Sequence, residues 1–133
     1  MSIILFLAAM QSAGTLPPQA TVQRAVERLD MSSFRNSLAD LARRSRGKTL
    51  RQLGAHRFAW SEGQLEATES DGSWGRTFKP LRAPRGRIRL CFSDQALNGG
   101  TYLTSSAIEL IALRNGAYRA REIKHPDCED YAR

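Results

Sequence analysis

The sequence predicts a single small α+β domain in which an N-terminal helix, or a pair of helices, packs on a curved antiparallel β-sheet. Apolar residues recur at helical spacing within residues 18–45, and the period changes to two from residue 56 onward. The chain of 133 residues is long enough for one hydrophobic core but short for two. Helices followed by a run of strands are typical of α+β proteins.

The first residues have the layout of a secretory signal. Residues 3–10 form an unbroken apolar run, residues 11–14 are small or polar, and Leu16-Pro17-Pro18 follows. The run is too short for a bilayer span, which needs about 20 residues, so we expect no stable transmembrane anchor. We predict a signal peptide over residues 1–14, a linker over 15–20, one domain over 21–133 and an exported protein, periplasmic or secreted. A buried first strand is the alternative, since no Lys or Arg precedes the run.

Two apolar stripes predict the helices. The first consists of Val22, Val26 and Leu29, and the second of Met31, Phe34, Leu38 and Leu41. The five-residue step from Leu29 to Phe34 breaks the helical phase. We therefore predict helices over residues 18–30 and 33–45, with residues 30–33 as the joint, and one bent helix is the alternative.

Alternating residues and glycine turns predict the strands. The predicted strands cover residues 56–60, 64–70, 76–79, 87–93, 101–104, 108–113 and 118–123. Gly63, Asp71-Gly72, Asn98-Gly99-Gly100 and Asn115-Gly116 mark the turns between them. The spacing of Ser106 and Glu109 also fits a capping box, so a short helix over residues 107–114 competes with the last hairpin.

The two cysteines predict a disulfide. In an exported chain, Cys91 and Cys128 are best interpreted as one bridge, whereas in a cytosolic chain they would be two free thiols. The alternation of residues 87–93 places Cys91 on the side away from the apolar core. Cys128 lies in a polar tail with little to bury, and a bridge would tether that tail.

The positive charge is concentrated near the helices. The net charge is +7, and residues 24–57 contain nine basic residues against three acidic ones. The densest run is Arg43, Arg44, Arg46, Lys48 and Arg51. We predict that this basic patch binds an anionic macromolecule or an envelope component. The alternative is an ordinary solvated helix end.

No arrangement of residues predicts a catalytic site. Residues 42–49 resemble a relaxed P-loop, but they follow an amphipathic helix and contain arginines where the backbone must curl around phosphates. Four ligands with zinc-like spacing are not present, so we expect no metal and no cofactor.

We therefore predict a non-catalytic exported protein that binds a macromolecular partner or an envelope surface, although the partner itself is unknown. Two alternatives from other classes stay open. The first is a small hydrolase with a site assembled from scattered residues, such as His56 with Glu62 or Glu66. The second is a basic nucleic-acid-binding protein.

Overall fold

The protein is built on one sheet of six strands, each antiparallel to the next and joined to it in chain order. The structure is a computed structural model and describes residues 14–131, so the predicted signal peptide lies outside the described residues except for Gly14. The elements are α1 (Gln19–Glu27), α2 (Ala39–Arg44), β1 (Ala55–Ser61), β2 (Gln64–Glu69), β3 (Trp74–Pro80), β4 (Ile88–Ala96), β5 (Leu103–Ala112), β6 (Tyr118–Ile123) and a 3-10 helix (Pro126–Cys128). This architecture is α+β, as predicted. Among the described residues, no helix is long and apolar enough to span a bilayer.

Positive backbone angles at short loops set the hairpin register. Glu62 and Gly63 connect β1 to β2 with φ values of 51° and 77°, and a type I′ turn requires positive φ at both positions. The loop between β5 and β6 covers residues 113–117, with Gly116 at a φ of 83°. The predicted last hairpin is confirmed. The competing helix over residues 107–114 is wrong, because β5 pairs with a strand on each side.

One hydrophobic core includes both the first helix and the sheet. Val22 and Val26 of α1 and the following Leu29 are fully buried, so the predicted first stripe is confirmed as core. The same cluster contains Phe78 of β3 and Phe92 of β4, which are cross-strand neighbours with ring centroids 5.3 Å apart. Burying each of these large apolar side chains stabilises the fold by roughly 1.5–3 kcal/mol.

Both helices are shorter than the predicted spans of residues 18–30 and 33–45. Asn36 is the physical reason for the late start of α2. Its Nδ2 donates to the backbone oxygens of Met31 (2.8 Å) and Phe34 (2.9 Å), and its Oδ1 accepts the N–H two residues later (2.8 Å). These bonds compete with helical ones. The alternative of one bent helix is wrong, since the chain between α1 and α2 is not helical.

The N-terminal segment is attached to the sheet side of the molecule before α1 begins. Thr15 exchanges backbone hydrogen bonds with Ala83, at 3.0 and 3.1 Å. A Cβ atom at Gly14 would lie 2.5 Å from the Ala83 carbonyl oxygen, so the close approach requires glycine there. The helix then starts at Gln19, inside the predicted linker of residues 15–20.

The predicted disulfide between Cys91 and Cys128 is confirmed, with Cα atoms 5.3 Å apart. Cys91 faces away from the main core, as expected, but it is fully buried. It belongs to a second small cluster with Cys128, Leu81 and Ala107 on the opposite face of the sheet. An antiparallel sheet has two faces, and apolar side chains on either face are stable only when other parts of the chain shield them from water.

The C-terminal tail supplies that cover. The prediction that the tail has little to bury is wrong, because the 3-10 helix brings Cys128 to 4% exposure. Tyr131 then packs against the second cluster. Its hydroxyl donates to Gln64 Oε1 (2.8 Å) and lies 2.6 Å from Thr77 Oγ1. The tail is therefore held to the sheet at two points, the bridge at Cys128 and the contacts of Tyr131.

Replacing both cysteines with alanine is expected to lower the free energy of unfolding by about 4 kcal/mol, because the bridge closes a loop with a sequence separation of 37. Urea denaturation of the oxidised wild type and of Cys91→Ala/Cys128→Ala measures the difference. As a control, reductant should not shift the midpoint of the double variant. Two reactive thiols in unfolded, unreduced protein from an oxidising compartment would contradict the bridge.

Candidate functional site

An open groove of about 670 Å³ lies on the core face of the sheet, between β5 and β6 on one side and residues 31–38 with α2 on the other. We call residues 31–38 the wall segment. Hydroxyl and amide side chains dominate the lining: Ser32, Ser33, Asn36, Ser37, Thr104 and Ser106. In β5, Thr104 and Ser106 precede the buried Ile108 at every second position, so they share its face. The face of the sheet that carries the apolar core therefore carries polar residues farther along β5, where the groove lies.

Hydrogen bonds to the edge strand β6 fasten the wall segment. Immediately before this segment, the N–H of Asp30 donates to the carbonyl oxygen of Tyr118 (2.7 Å). Ser33 Oγ accepts the N–H of Ala120 (2.8 Å). Ser33 is itself a groove residue, so the wall is anchored at the point where a ligand would contact it.

Beneath the groove, two opposite charges are buried together. Arg76 is 1% exposed and Asp94 is fully buried. Arg76 Nε lies 3.3 Å from Asp94 Oδ1, an ion pair without the alignment of a hydrogen bond. Arg76 also pairs with Glu69 Oε1 at 3.1 Å. Burying a charge is costly unless it is paired and hydrogen-bonded, and here three charged groups compensate one another.

The buried charges position one residue of the groove. Asp94 Oδ2 accepts the backbone N–H of Ser37 at 2.6 Å. Arg76 Nη2 donates to Ser37 Oγ at 2.9 Å. Both ends of the ion pair therefore bind the same residue of the wall segment. The groove is in this way shaped before any ligand binds.

This charge network was not predicted from the sequence, although a signal for it exists. Arg76 lies two residues before Phe78 in one strand, and Asp94 lies two residues after Phe92 in the next. Alternation puts all four side chains on the core face. The predicted strand over residues 87–93 ends one residue before Asp94. For this reason the prediction did not place Asp94 beside Arg76 on the core face.

The structure places the predicted basic patch on α2 and in the loop after it. The patch comprises Arg43, Arg44, Arg46, Lys48 and Arg51. Arg43 lines the groove and pairs with Asp40. Arg51 pairs with Glu27 at 3.2 Å, and its guanidinium stands 5.1 Å from the centre of the Phe58 ring. The other three side chains are exposed. Anion binding by this patch stays a prediction.

Of the residues of the hydrolase alternative, the two whose side chains the structure describes, Glu62 and Glu66, lie away from the groove. Glu62 lies in the turn after β1 and Glu66 in β2, at the sheet edge opposite to β6. The side chain of His56 lies outside the described part of the structure. His125 Nδ1 accepts the N–H of Asp127 (3.2 Å) in the tail. Within residues 14–131, no three His, Cys, Asp or Glu side chains are grouped so that they could hold a metal ion.

The carboxylates of the groove itself are paired with arginines. Glu122 lies 3.4 Å from the guanidinium of Arg35, whose side chain is 92% exposed. Asp40 pairs with Arg43 one turn along α2. Such exposed pairs contribute little to stability, in the range of about 0–1 kcal/mol. They do balance the charge of the lining, which leaves hydrogen bonding as the main chemistry that the groove offers.

Replacing Arg76 with methionine is expected to lower the free energy of unfolding by about 3–5 kcal/mol, because Asp94 would stay buried without a cation. In a double-mutant cycle, Arg76→Met/Asp94→Asn should lose at least about 1 kcal/mol less than the two single variants together. Urea denaturation measures all three variants. The control is Arg35→Met at the exposed pair, where we expect a loss below about 1 kcal/mol. Additive losses at Arg76 and Asp94 would contradict the coupling.

Comparisons with known proteins give no information on the role of the groove. No protein-family model, no curated protein and no solved structure matches this chain. The lining of the groove and the charges around it are therefore the observations from which a function can be inferred.

Proposed function

We propose that this chain is a small exported, non-catalytic protein that binds a polysaccharide of the cell envelope in its groove. The observation that carries the proposal is the lining of hydroxyl and amide side chains on the core face of the sheet. In this proposal the helices and the wall segment cover one face of a curved sheet, and the groove is the part of that face that they leave open.

The chemistry of the lining suits a sugar chain. Hydroxyl and amide groups both donate and accept hydrogen bonds, as sugar hydroxyls do. Tyr102 also lines the groove, is 41% exposed, and packs edge-on against Trp74 with ring centroids 5.3 Å apart. A ring held in this way offers an apolar surface to the carbon face of a sugar.

The fixed geometry of the groove supports binding. The wall segment is held by Asp94 and Arg76 beneath it and by β6 at its side, so little conformational entropy is lost when a ligand binds. The described lining contains no histidine or cysteine, and its carboxylates are paired with arginines. Glycoside hydrolysis needs two carboxyl groups on either side of the scissile bond, whereas the two carboxylates of this lining each face an arginine, an arrangement suited to recognition.

Two observations support export. The apolar run of residues 3–10 has the layout of a signal peptide. The Cys91–Cys128 bridge is of a kind that persists in oxidising compartments and is rare in the cytosol. An envelope polysaccharide is a partner that a protein of such a compartment would meet.

Replacing Tyr102 with alanine should weaken binding to insoluble envelope polysaccharide, such as peptidoglycan sacculi, by about tenfold, as expected for a central aromatic contact. Co-sedimentation with the polysaccharide measures the affinity. The matched control is Leu103→Ala, because this neighbouring residue is similarly exposed at 42% but points to the other face of the sheet. Equal losses in both variants, or no binding by the wild type, would refute the proposed role of the groove.

The site of signal cleavage gives a separate test of export. We expect the mature amino terminus to lie between residues 15 and 21, and mass spectrometry of protein from the outer compartment identifies it. If the cut follows Gly14, the mature chain begins at Thr15 and keeps the backbone hydrogen bonds between Thr15 and Ala83. Recovery of the full-length chain from the cytoplasm would refute export without bearing on the groove.

A further inference from the structure

The face of the sheet opposite to the groove carries a row of alternating charges. Arg89 of β4, Glu109 of β5 and Arg121 of β6 are direct cross-strand neighbours. Arg89 Nε and Arg121 Nη2 each lie 2.7 Å from an oxygen of Glu109. Glu109 is buried, and hydrogen bonding from Arg89 is the main cause that holds its pKa below the usual value. The row is thus built around one ionised carboxylate.

Two further arginines extend this row toward the end of the sheet. Arg87 lies two residues before Arg89, and its guanidinium is 3.7 Å from Glu109. Arg119 lies two residues before Arg121 and pairs across the sheet with Ile111, so alternation places it on the same face. We call Arg87, Arg89, Arg119 and Arg121 the arginine surface.

The arginine surface has more positive than negative charge, and it is open to solvent. Three of its four guanidinium groups, those of Arg87, Arg89 and Arg121, contact the carboxylate of Glu109. The side chains of Arg87 and Arg121 are 55% and 59% exposed. The disulfide-linked tail covers the neighbouring cross-strand row, which contains Cys91 and Ala107. A guanidinium has five N–H donors, and each of the three arginines beside Glu109 faces it with one nitrogen.

We propose that the arginine surface binds the phosphate headgroups of a membrane that contains anionic phospholipids. Guanidinium groups bind phosphate with two parallel hydrogen bonds, which lysine cannot do. The arginines on the β4 side and those of β6 are separated by β5 alone, at about 4.8 Å per strand, and same-face residues are about 7 Å apart along a strand. This spacing allows the arginines to contact several headgroups at once.

Apolar and basic residues at the adjoining end of the sheet favour a lipid surface. Leu16 and Leu113 are 54% and 38% exposed, and both lie at the end where β5 finishes and β6 begins. The loops at this end also carry exposed arginines: Arg82, Arg85 and Arg114. Basic residues beside exposed apolar ones are typical of proteins that bind at the headgroup level of a bilayer.

Nucleic acid is the less favoured partner of the arginine surface. Single-stranded nucleic acids are held by aromatic side chains on which bases stack. The four residues that define the surface are all arginines, and their described cross-strand neighbours Glu109 and Ile111 are not aromatic. The surface lies on the opposite side of the sheet from the groove, so membrane binding does not depend on what the groove binds.

Flotation of the purified protein with vesicles tests the membrane proposal. We expect binding to equimolar phosphatidylglycerol and phosphatidylcholine, little binding to phosphatidylcholine alone, and weaker binding as the salt concentration rises. Arg87→Gln/Arg119→Gln should reduce vesicle affinity by roughly tenfold or more, whereas Arg43→Gln/Arg44→Gln, with the same change in net charge, should reduce it by less than about twofold. All four substituted residues are exposed, so the urea midpoints should match the wild type.

A third variant separates a lipid surface from free phosphate. Leu113→Ser should weaken vesicle binding and leave the affinity for inorganic phosphate unchanged, because only a bilayer offers an apolar layer beneath the phosphates. Equal losses in the two arginine pairs would overturn the proposal, since they would indicate nonspecific attraction. So would a lack of preference for anionic vesicles, or tighter binding to a DNA duplex than to the vesicles.

Discussion

The cross-strand register of the sheet is the constraint on which both proposed surfaces depend. Each strand pairs with the next in the chain, so a side chain's face follows from its position in the alternation. One face contains Phe78 and Phe92 in the core and, farther along, the polar lining of the groove. The other contains the disulfide and the row around Glu109. A slip of one residue in any pair would exchange these environments.

The ion pair of Arg76 and Asp94 is the costliest feature of the core face, and it has a structural consequence. Apolar side chains at these positions would fill the core without the loss of hydration that buried charges suffer. The two charges instead bind the backbone and the hydroxyl of Ser37. The wall segment is therefore hydrogen-bonded to the sheet at Ser37, which lines the groove.

The tail and the helices have comparable roles on the two faces. On the core face, buried residues of α1 and of the wall segment belong to one cluster with residues of β2 to β6, and the groove lies beside this cluster. On the other face, the bridge at Cys128 and the contacts of Tyr131 cover part of the sheet and leave the arginine surface. Each open region therefore borders a covered one.

The sequence by itself determined the parts of this protein that depend on local pattern. Period-two alternation, glycine turns such as Gly63 and Asn115-Gly116, and the presence of two cysteines were enough to predict the first and last hairpins, the α+β class and the disulfide. The predicted strands over residues 101–104 and 108–113 are one strand, β5. The helix bounds could not be predicted, because Asn36 takes over backbone groups that helical spacing assigns to α2.

Only the tertiary structure decided which charges meet. The basic patch of residues 43–51 is visible as a run, yet two of its members pair with acids, Asp40 and Glu27. The arginine surface joins two separate stretches of the chain, since Arg87 precedes β4 and Arg121 lies in β6, and both contact Glu109. The groove likewise joins Ser37 to Thr104 across the chain. The physical reason is that electrostatic and hydrogen-bond partners are selected by distance in space, and strand register sets that distance.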